Sequence, residues 1–390
     1  MLLTTLLLLA CPQDTPNEEP PPLADGWTFE ADRGGLSAES PDGRIEFSLG
    51  GRLHLDYVSA NEDVTPLEDG FDVRRFRLTG EGKYDDKWTL RLDHDFGGLV
   101  EGWYGLWLRY EGEKPWYFTV GNIQMPFGLE NAISSNDTTF LERSQLAALE
   151  PGYGVGVQAQ YRGDGHGTTF GLFGNELDAA PARRSDGFGA VVRHTRALWR
   201  EDEKLWHVGG SLELRDVDGG SRYRLRTRPE LGTVENRLLD TGNLFDVDRT
   251  LTYGLESVVQ LGPLAFQGEW IATELSRDVN DASFAGWYVQ ASYFLTGQTR
   301  RYRDDRGEFT DPADLQERSA WEVAARLSSL DLQDVDVTGG EGRNITLGVT
   351  WYVDRNVRVM ANYVHADAEP NRNGVDELAR AIALRLQVAF

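Results

Sequence analysis

Cysteine, lysine and long apolar runs are what this chain is short of. Its one cysteine, Cys11, leaves no internal disulfide and no multi-cysteine metal site. After the N-terminus no apolar run approaches the ~18 residues that a membrane-crossing helix requires. If the chain enters a bilayer, it must do so as strands closed into a barrel, the other architecture that satisfies every backbone group in hydrocarbon. A net charge of -24 argues against nucleic acid as a partner, because phosphate backbones are bound by basic surfaces. Only Lys83, Lys87, Lys114 and Lys204 are lysines, so the basic residues are overwhelmingly arginine, whose permanent charge and planar fork suit oxyanions. The six histidines (His54, His94, His166, His194, His207 and His365) fall in no motif such as G-x-S-x-G or H-E-x-x-H. Gly152 to Gly156 leads into a strand and not into a helix, so it is no dinucleotide loop. The sequence calls for no cofactor and no metal.

The apolar start, MLLTTLLLLA, reads with Cys11 as an export signal over residues 1–11, although it lacks a positive n-region. Leu8-Leu9-Ala10-Cys11 resembles a lipobox, which would make Cys11 a lipidation site; an ordinary signal peptide with a chance cysteine is the other reading. Residues 12–34 form a Pro-rich acidic linker that cannot build a packed core. Both readings send the protein out of the cytoplasm.

From Ile45 onward a period of two dominates, within a barrel domain read as residues 35–390. Trp88, Leu90 and Leu92 alternate with Thr89, Arg91 and Asp93, and Ile345, Leu347, Val349 and Trp351 alternate with Asn344, Thr346 and Thr350. The last segment sets Ile382, Leu384, Leu386, Val388 and Phe390 against Arg385 and Gln387. Successive side chains of a strand point to opposite faces, so each segment has one apolar and one polar face. A soluble sandwich alternates too. Segments of about ten residues, aromatics near strand ends and an aromatic C-terminus favour an all-β, transmembrane antiparallel barrel. About sixteen strands can be counted, with 221–250 readable as a further strand plus a long loop. Tight turns at 84–87, 261–263 and 354–356 mark the periplasmic side. Longer polar inserts at 61–70, 297–319 and 331–342 then read as outer loops.

Between the segments that end near Val120 and begin near Val155 lie some thirty residues of no clean period, an unusual length for an idle loop. They are expected to fold into the lumen and narrow it. By parity the lumen face carries Arg52, Arg75, Arg77, Arg91, Arg193, Arg215, Arg326, Arg358 and Arg385. Glu46, Asp56, Glu81, Asp93, Asp95, Glu213, Glu256, Glu269 and Glu322 share it. Two readings stay open: a cross-strand charge network that stiffens the wall, or a local anion track inside an acidic barrel.

The stretches GGRLHLDY, DVRRFRLTGEGKY, GNIQMPFGLE with TTFLERS, FLTGQTRRYRDDRGEF, AWEVAARLSSLDLQD and NITLGVTWYVDRNVRVMANYVHA follow in order over nearly everything after Gly34. In them the chain resembles the phosphate-selective porins O and P. The resemblance implies a sixteen-stranded outer-membrane barrel of a Gram-negative-type bacterium, set in outer-membrane lipid and assembled as a homotrimer. It also places the inserted loop within Pro126 to Tyr153. Pro126 and Gly128 then look like turn-makers, Phe127, Phe140 and Leu141 like wall anchors, and Glu130 like a further loop residue of the constriction. Glu142 and Arg143 match the family motif, either at the narrowest point or in a salt bridge that holds the loop down. Phosphate-selective members rely on lysine clusters and an arginine ladder; this chain keeps arginine and has almost no lysine. The expected function is passive diffusion of small hydrophilic solutes or ions, anions such as phosphate among them. A barrel hydrolase and a non-conducting anchor or adhesin are the rival readings.

Overall fold

A computed structural model of the protein describes residues 26–32, 34–98, 101–177, 187–218, 221–313, 315 and 319–390. Cys11, the export signal and the linker through residue 25 lie outside the described residues.

The chain begins with a hairpin, β1 (Thr28–Asp32) and β2 (Gly35–Glu39), followed by β3 (Ile45–Glu62), β4 (Gly70–Tyr84), β5 (Trp88–Asp95) and β6 (Gly102–Glu113). Next come β7 (Trp116–Gln124), β8 (Tyr153–Gly163), β9 (His166–Phe173), β10 (Gly187–Glu201) and β11 (Lys204–Val217). Short β12 (Arg226–Thr227) and β13 (Leu239–Asp240) precede β14 (Val247–Leu261), β15 (Leu264–Arg277) and β16 (Ala282–Phe294). A second small pair, β17 (Arg300–Arg303) and β18 (Glu308–Pro312), leads to β19 (Ala320–Asp334), β20 (Val337–Tyr352), β21 (Val357–Ala368) and β22 (Glu377–Ala389).

The main sheet has eighteen strands, of which the β1–β2 hairpin stands outside the ring, and the remaining sixteen close into an antiparallel barrel. Closure is made by β22 against β3, from Ala379 opposite Glu62 to Ala389 opposite Arg52. At the seam the Gly51 amide donates to the Phe390 carbonyl at 2.6 Å and the Phe390 amide to that of Gly51 at 2.9 Å. Gly51 is needed there, since a Cβ would lie 2.8 Å from the Arg77 carbonyl oxygen. Below the seam β2 takes the edge of β3 that β22 leaves, pairing Leu36 with Leu49 and Ala38 with Phe47. The strand β1 therefore falls inside what the sequence reads as linker; alternation of Phe29 and Ala31 with charged residues is strand pattern despite the acidic surroundings.

Outward faces are apolar. Along β22, Ile382, Leu384 and Leu386 are exposed while Ala381, Ala383, Arg385 and Gln387 are buried. At the end that carries the tight turns, Trp88, Trp116, Trp199, Trp206, Trp321 and Trp351 point outward, with Trp321 and Trp351 stacked at 5.6 Å. Such a band fits the headgroup level, where an amphipathic ring meets both oil and water.

Three expectations about the connections are corrected. Residues 297–319 join β16 to β19 at the tight-turn end, because strand count and not insert length fixes the side. They fold into the barrel as the β17–β18 hairpin and are not an outer loop. Within 331–342 the ladder runs to Asp334 and resumes at Val337, so the polar stretch is mostly strand. Between β11 and β14 the described residues form no further barrel strand. Residues 221–246 enter the lumen instead, held by the two-residue β12–β13 ladder and by buried Tyr223, Leu225, Leu231 and Leu239.

Candidate functional site: a constriction lined with arginine

The stretch between β7 and β8 folds inward as the sequence expectation has it. After the half-buried Pro126 it turns at Gly128, whose φ of 68° suits a residue without Cβ. A single helical turn, Leu129–Ala132, follows. Its first amides have no partner within the turn. The Glu269 carboxylate of β15 takes them, accepting from Leu129 at 2.6 Å and Glu130 at 2.9 Å, while Ser211 accepts from the Gly128 amide at 3.1 Å. Phe127 and Phe140 are buried, and Leu141 nearly so. Each phenyl ring lies against a wall glycine: Phe127 beside Gly254, and Phe140 beside Gly348, where a Cβ would come within 3.0 Å of the ring.

Glu142 and Arg143 do not bond to each other; they act in opposite directions. Glu142 reaches the wall, receiving two bonds from Arg74 at 2.9 and 2.8 Å and one from Arg385 at 2.7 Å. Burial pushes the Glu142 carboxyl up, but Arg74 and Arg385 outweigh it and hold the group well below the usual carboxylate range. Arg143 turns back into the loop, donating to the carbonyls of Glu130, Asn131 and Ile133. Glu130 accepts from the amide and hydroxyl of Ser144 at 2.8 Å each, and from Arg326 at 3.1 Å. Arg326 also bonds Glu230, which comes from the 221–246 insert, and its guanidinium lies 4.5 Å from the Phe140 ring centroid.

On the other side of the lumen the β17–β18 hairpin rises from the tight-turn end. Arg193 holds its tip through the carbonyls of Arg306 and Gly307 while pairing with Glu256, and Arg300 pairs with Glu322 at 2.9 Å. Phe309 packs with Leu129 and Ile133 of the inserted loop. Between the three inserts and the wall lie two cavities that share lining residues. The larger, about 530 Å³, is lined by Arg52, Arg75, Arg77, Arg91 and Arg109 of the wall, Arg143 of the loop and Arg303 and Arg306 of the hairpin. Four carboxyl groups, Asp93, Asp137, Glu150 and Glu308, face those eight arginines. The smaller, about 180 Å³, meets it at Arg75, Ser135, Arg143 and Ala147, and adds Arg74, Arg226, Arg228 and Arg237 against Glu142 and Glu230. Burial pushes the Asp137 carboxyl up to about 6, against the pull of Arg358. Among the described residues no three His, Cys, Asp or Glu side chains converge to hold a metal.

Residues 47–390 match the family model described as phosphate-selective porin O and P. The chain belongs to that family. The porin is 29% identical to "Porin O" of Pseudomonas aeruginosa, over 92% of this chain and 91% of that protein. It is also 29% identical to an uncharacterized protein of Caulobacter vibrioides, over 87% and 72%. Among solved structures it shares its fold with an anion-selective porin from Comamonas acidovorans, at 12% identity, 89% and 100% coverage and a TM-score of 0.58. A loop-deletion mutant of OmpT, an outer membrane protein of Vibrio cholerae, is alike at 13% identity, the same coverage and a TM-score of 0.58. The protein is an outer-membrane porin.

The arginines that parity places in the porin's lumen divide into two groups. Arg77 pairs with Asp95, Arg91 with Glu81 and Asp93, Arg193 with Glu256, Arg215 with Glu213, Arg326 with Glu130 and Glu230, and Arg385 with Asp56 and Glu142. Arg52, Arg75 and Arg358 have no carboxylate at ion-pair distance among the described residues. Arg52 donates to Ser135 at 2.8 Å, Arg358 to the carbonyls of Thr138 and Ser135, and the Arg75 Nε has no acceptor. Arg74 escapes the parity reading because a bulge sets His54 opposite Arg75 and Leu55 opposite Val73, which leaves an extra residue between. The signal was in the sequence: outward apolar residues stand at Phe71 and Val73 and then at Phe76 and Leu78, a phase slip that needs two inward residues in succession. Arg109 follows from the same alternation as its strand neighbours. No periodic signal marks Arg226, Arg228, Glu230 or Asp137, which lie on inserts.

Proposed function

We propose that this porin is an anion-selective diffusion channel that passes small oxyanions such as phosphate through an arginine-faced constriction. One observation carries the reading. Arg52, Arg75, Arg77, Arg91 and Arg109 sit on four adjacent strands, β3 to β6, and line one cavity. Arg52 stands directly opposite Arg77 in the ladder. Like charges in that position destabilise a sheet. Arg77 is compensated by Asp95, but Arg52 has no carboxylate at ion-pair distance among the described residues, so an anion passing beside it offsets a charge that the wall leaves unpaired. The local excess of cations, inside a chain of net charge -24, sets the sign of solute that enters. The description of the family as phosphate-selective and of the Comamonas acidovorans porin as anion-selective agrees with it.

The constriction filters by size and sign and needs neither cofactor nor covalent chemistry. A hydrolase reading finds little support in the histidines: His54 lies 3.2 Å from the Asn136 amide oxygen, and His207 is held between Tyr302 and Glu256. A homotrimer is supported by a low apolar wall. The strands β5, β7 and β9 have only 8, 9 and 8 residues against 15 and 16 in β19 and β20, and expose Phe118, Val120, Phe170 and Leu172. The test is single-channel recording of the purified porin in a planar bilayer, with phosphate titrated into chloride. Block of the chloride current by phosphate is expected. Unblocked, cation-selective steps would overturn the anion reading, and the absence of steps would favour an anchor.

A further inference from the structure

We infer that the larger cavity takes organic phosphates carrying a flat ring, nucleoside monophosphates in chemical type, more tightly than the bare inorganic anion. The inference rests on the anion reading above and asks what the rest of the cavity wall is for.

Lumen faces of porins are generally polar. Here Tyr104 and Trp107 of β6 and Tyr153 of β8 line the same space as the arginine wall, with Ile123, Ile133 and Phe309 beside them. The three aromatic side chains are half-buried and not packed away. Their placement is specific. The Arg77 guanidinium lies 3.7 Å from the Tyr104 ring centroid, and that of Arg109 lies 4.5 Å from that of Trp107. Tyr104 meets Tyr153 edge to face at 5.3 Å and 86°. Gly121, with φ of 136°, lets Trp107 lie close to the neighbouring strand, since a Cβ there would come within 2.6 Å of the Trp107 Cα.

A guanidinium stacked on a ring keeps its N–H edges in its own plane; Arg77 gives Nε and Nη2 to Asp95 and Arg109 gives Nε to Thr119, which leaves their remaining Nη edges for an oxyanion. The half-buried rings of Tyr153 and Trp107 offer apolar surface beside them to whatever the phosphate is attached to. Inorganic phosphate uses only the first of these features. A phosphate with a sugar and an aromatic base uses both, and a cavity of about 530 Å³ lies within the range that encloses small organic ligands.

The test uses the whole porin in a planar bilayer, with chloride current blocked by inorganic phosphate, ribose 5-phosphate or adenosine 5′-monophosphate. Stacking of a base on an aromatic side chain is expected to lower the half-blocking concentration of adenosine 5′-monophosphate about tenfold below that of ribose 5-phosphate. The ratio between those two should fall towards one in Trp107→Leu and in Tyr104→Leu, each read against its own ribose 5-phosphate block. Equal block by the two esters in the natural protein would overturn the inference and leave the anion reading standing. A ratio that persists in both variants would overturn the site. No block by any of the three anions would bring down the anion reading itself.

Discussion

Replacing Glu142 by glutamine keeps the shape of the side chain and removes the charge that ties the inserted loop to the wall. Two arginines lose it, with unequal consequences. Arg385 retains Asp56 through two bonds of 2.7 Å. Among the described residues Arg74 has no second carboxylate at ion-pair distance, so it is left as a largely enclosed, uncompensated cation; its side chain is 15% exposed. Stripping one partner from a buried pair costs roughly 3–5 kcal/mol, and partial access of water puts this case at the lower end, about 3 kcal/mol. That penalty falls on the docked loop alone, which amounts to about a 150-fold shift towards undocked states. Single-channel recording reads it directly. Glu142→Gln should show brief steps of higher conductance, with their share of open time raised on the order of a hundredfold. The double variant Glu142→Gln with Arg74→Met, which removes both charges, should flicker less than the single one. Step sizes and dwell times identical to the natural protein, in a variant that is folded, would refute the latch.

Arg75→Ala should move the reversal potential in a salt gradient towards zero with little change in thermal stability, because Arg75 lines both cavities and pairs with no carboxylate among the described residues; a large stability loss with unchanged selectivity would contradict its placement in the track. The Asp137 carboxyl is neutral below its value of about 6 and negative above it. Anion selectivity should therefore be higher at about pH 5 than at about pH 7.5, and Asp137→Asn should remove that dependence, as reversal potentials at the two pH values will report. Replacing the β17–β18 hairpin by a short turn should raise conductance while the barrel still folds, since no barrel strand is lost; unchanged conductance would mean the hairpin does not narrow the passage.

The wall was legible because lipid on one side and water on the other impose a period of two. The final strand illustrates it, with Leu384 outward and Arg385 inward in both sequence and structure. The interior was legible only in part. The inserted loop announced itself by length, yet nothing periodic in residues 221–246 or 300–312 told that they also turn inward. Their burial depends on single long-range contacts such as Glu230 to Arg326 and Arg193 to the Arg306 carbonyl. Insert length misled about the side of 297–319, where counting strands decides. Composition misled in a second way. The acidic total is a sum over the whole chain and does not give the sign at one place, while the arginine cluster depended on which strands stand side by side.

Whether the arginine wall selects anions is read from the reversal potential of the porin under a KCl gradient, followed by phosphate titration at fixed voltage. An anion-selective pore gives a potential on the chloride side and a current that phosphate blocks. A potential on the potassium side with no block by phosphate would contradict it, and would assign the arginines of β3 to β6 to holding the wall together.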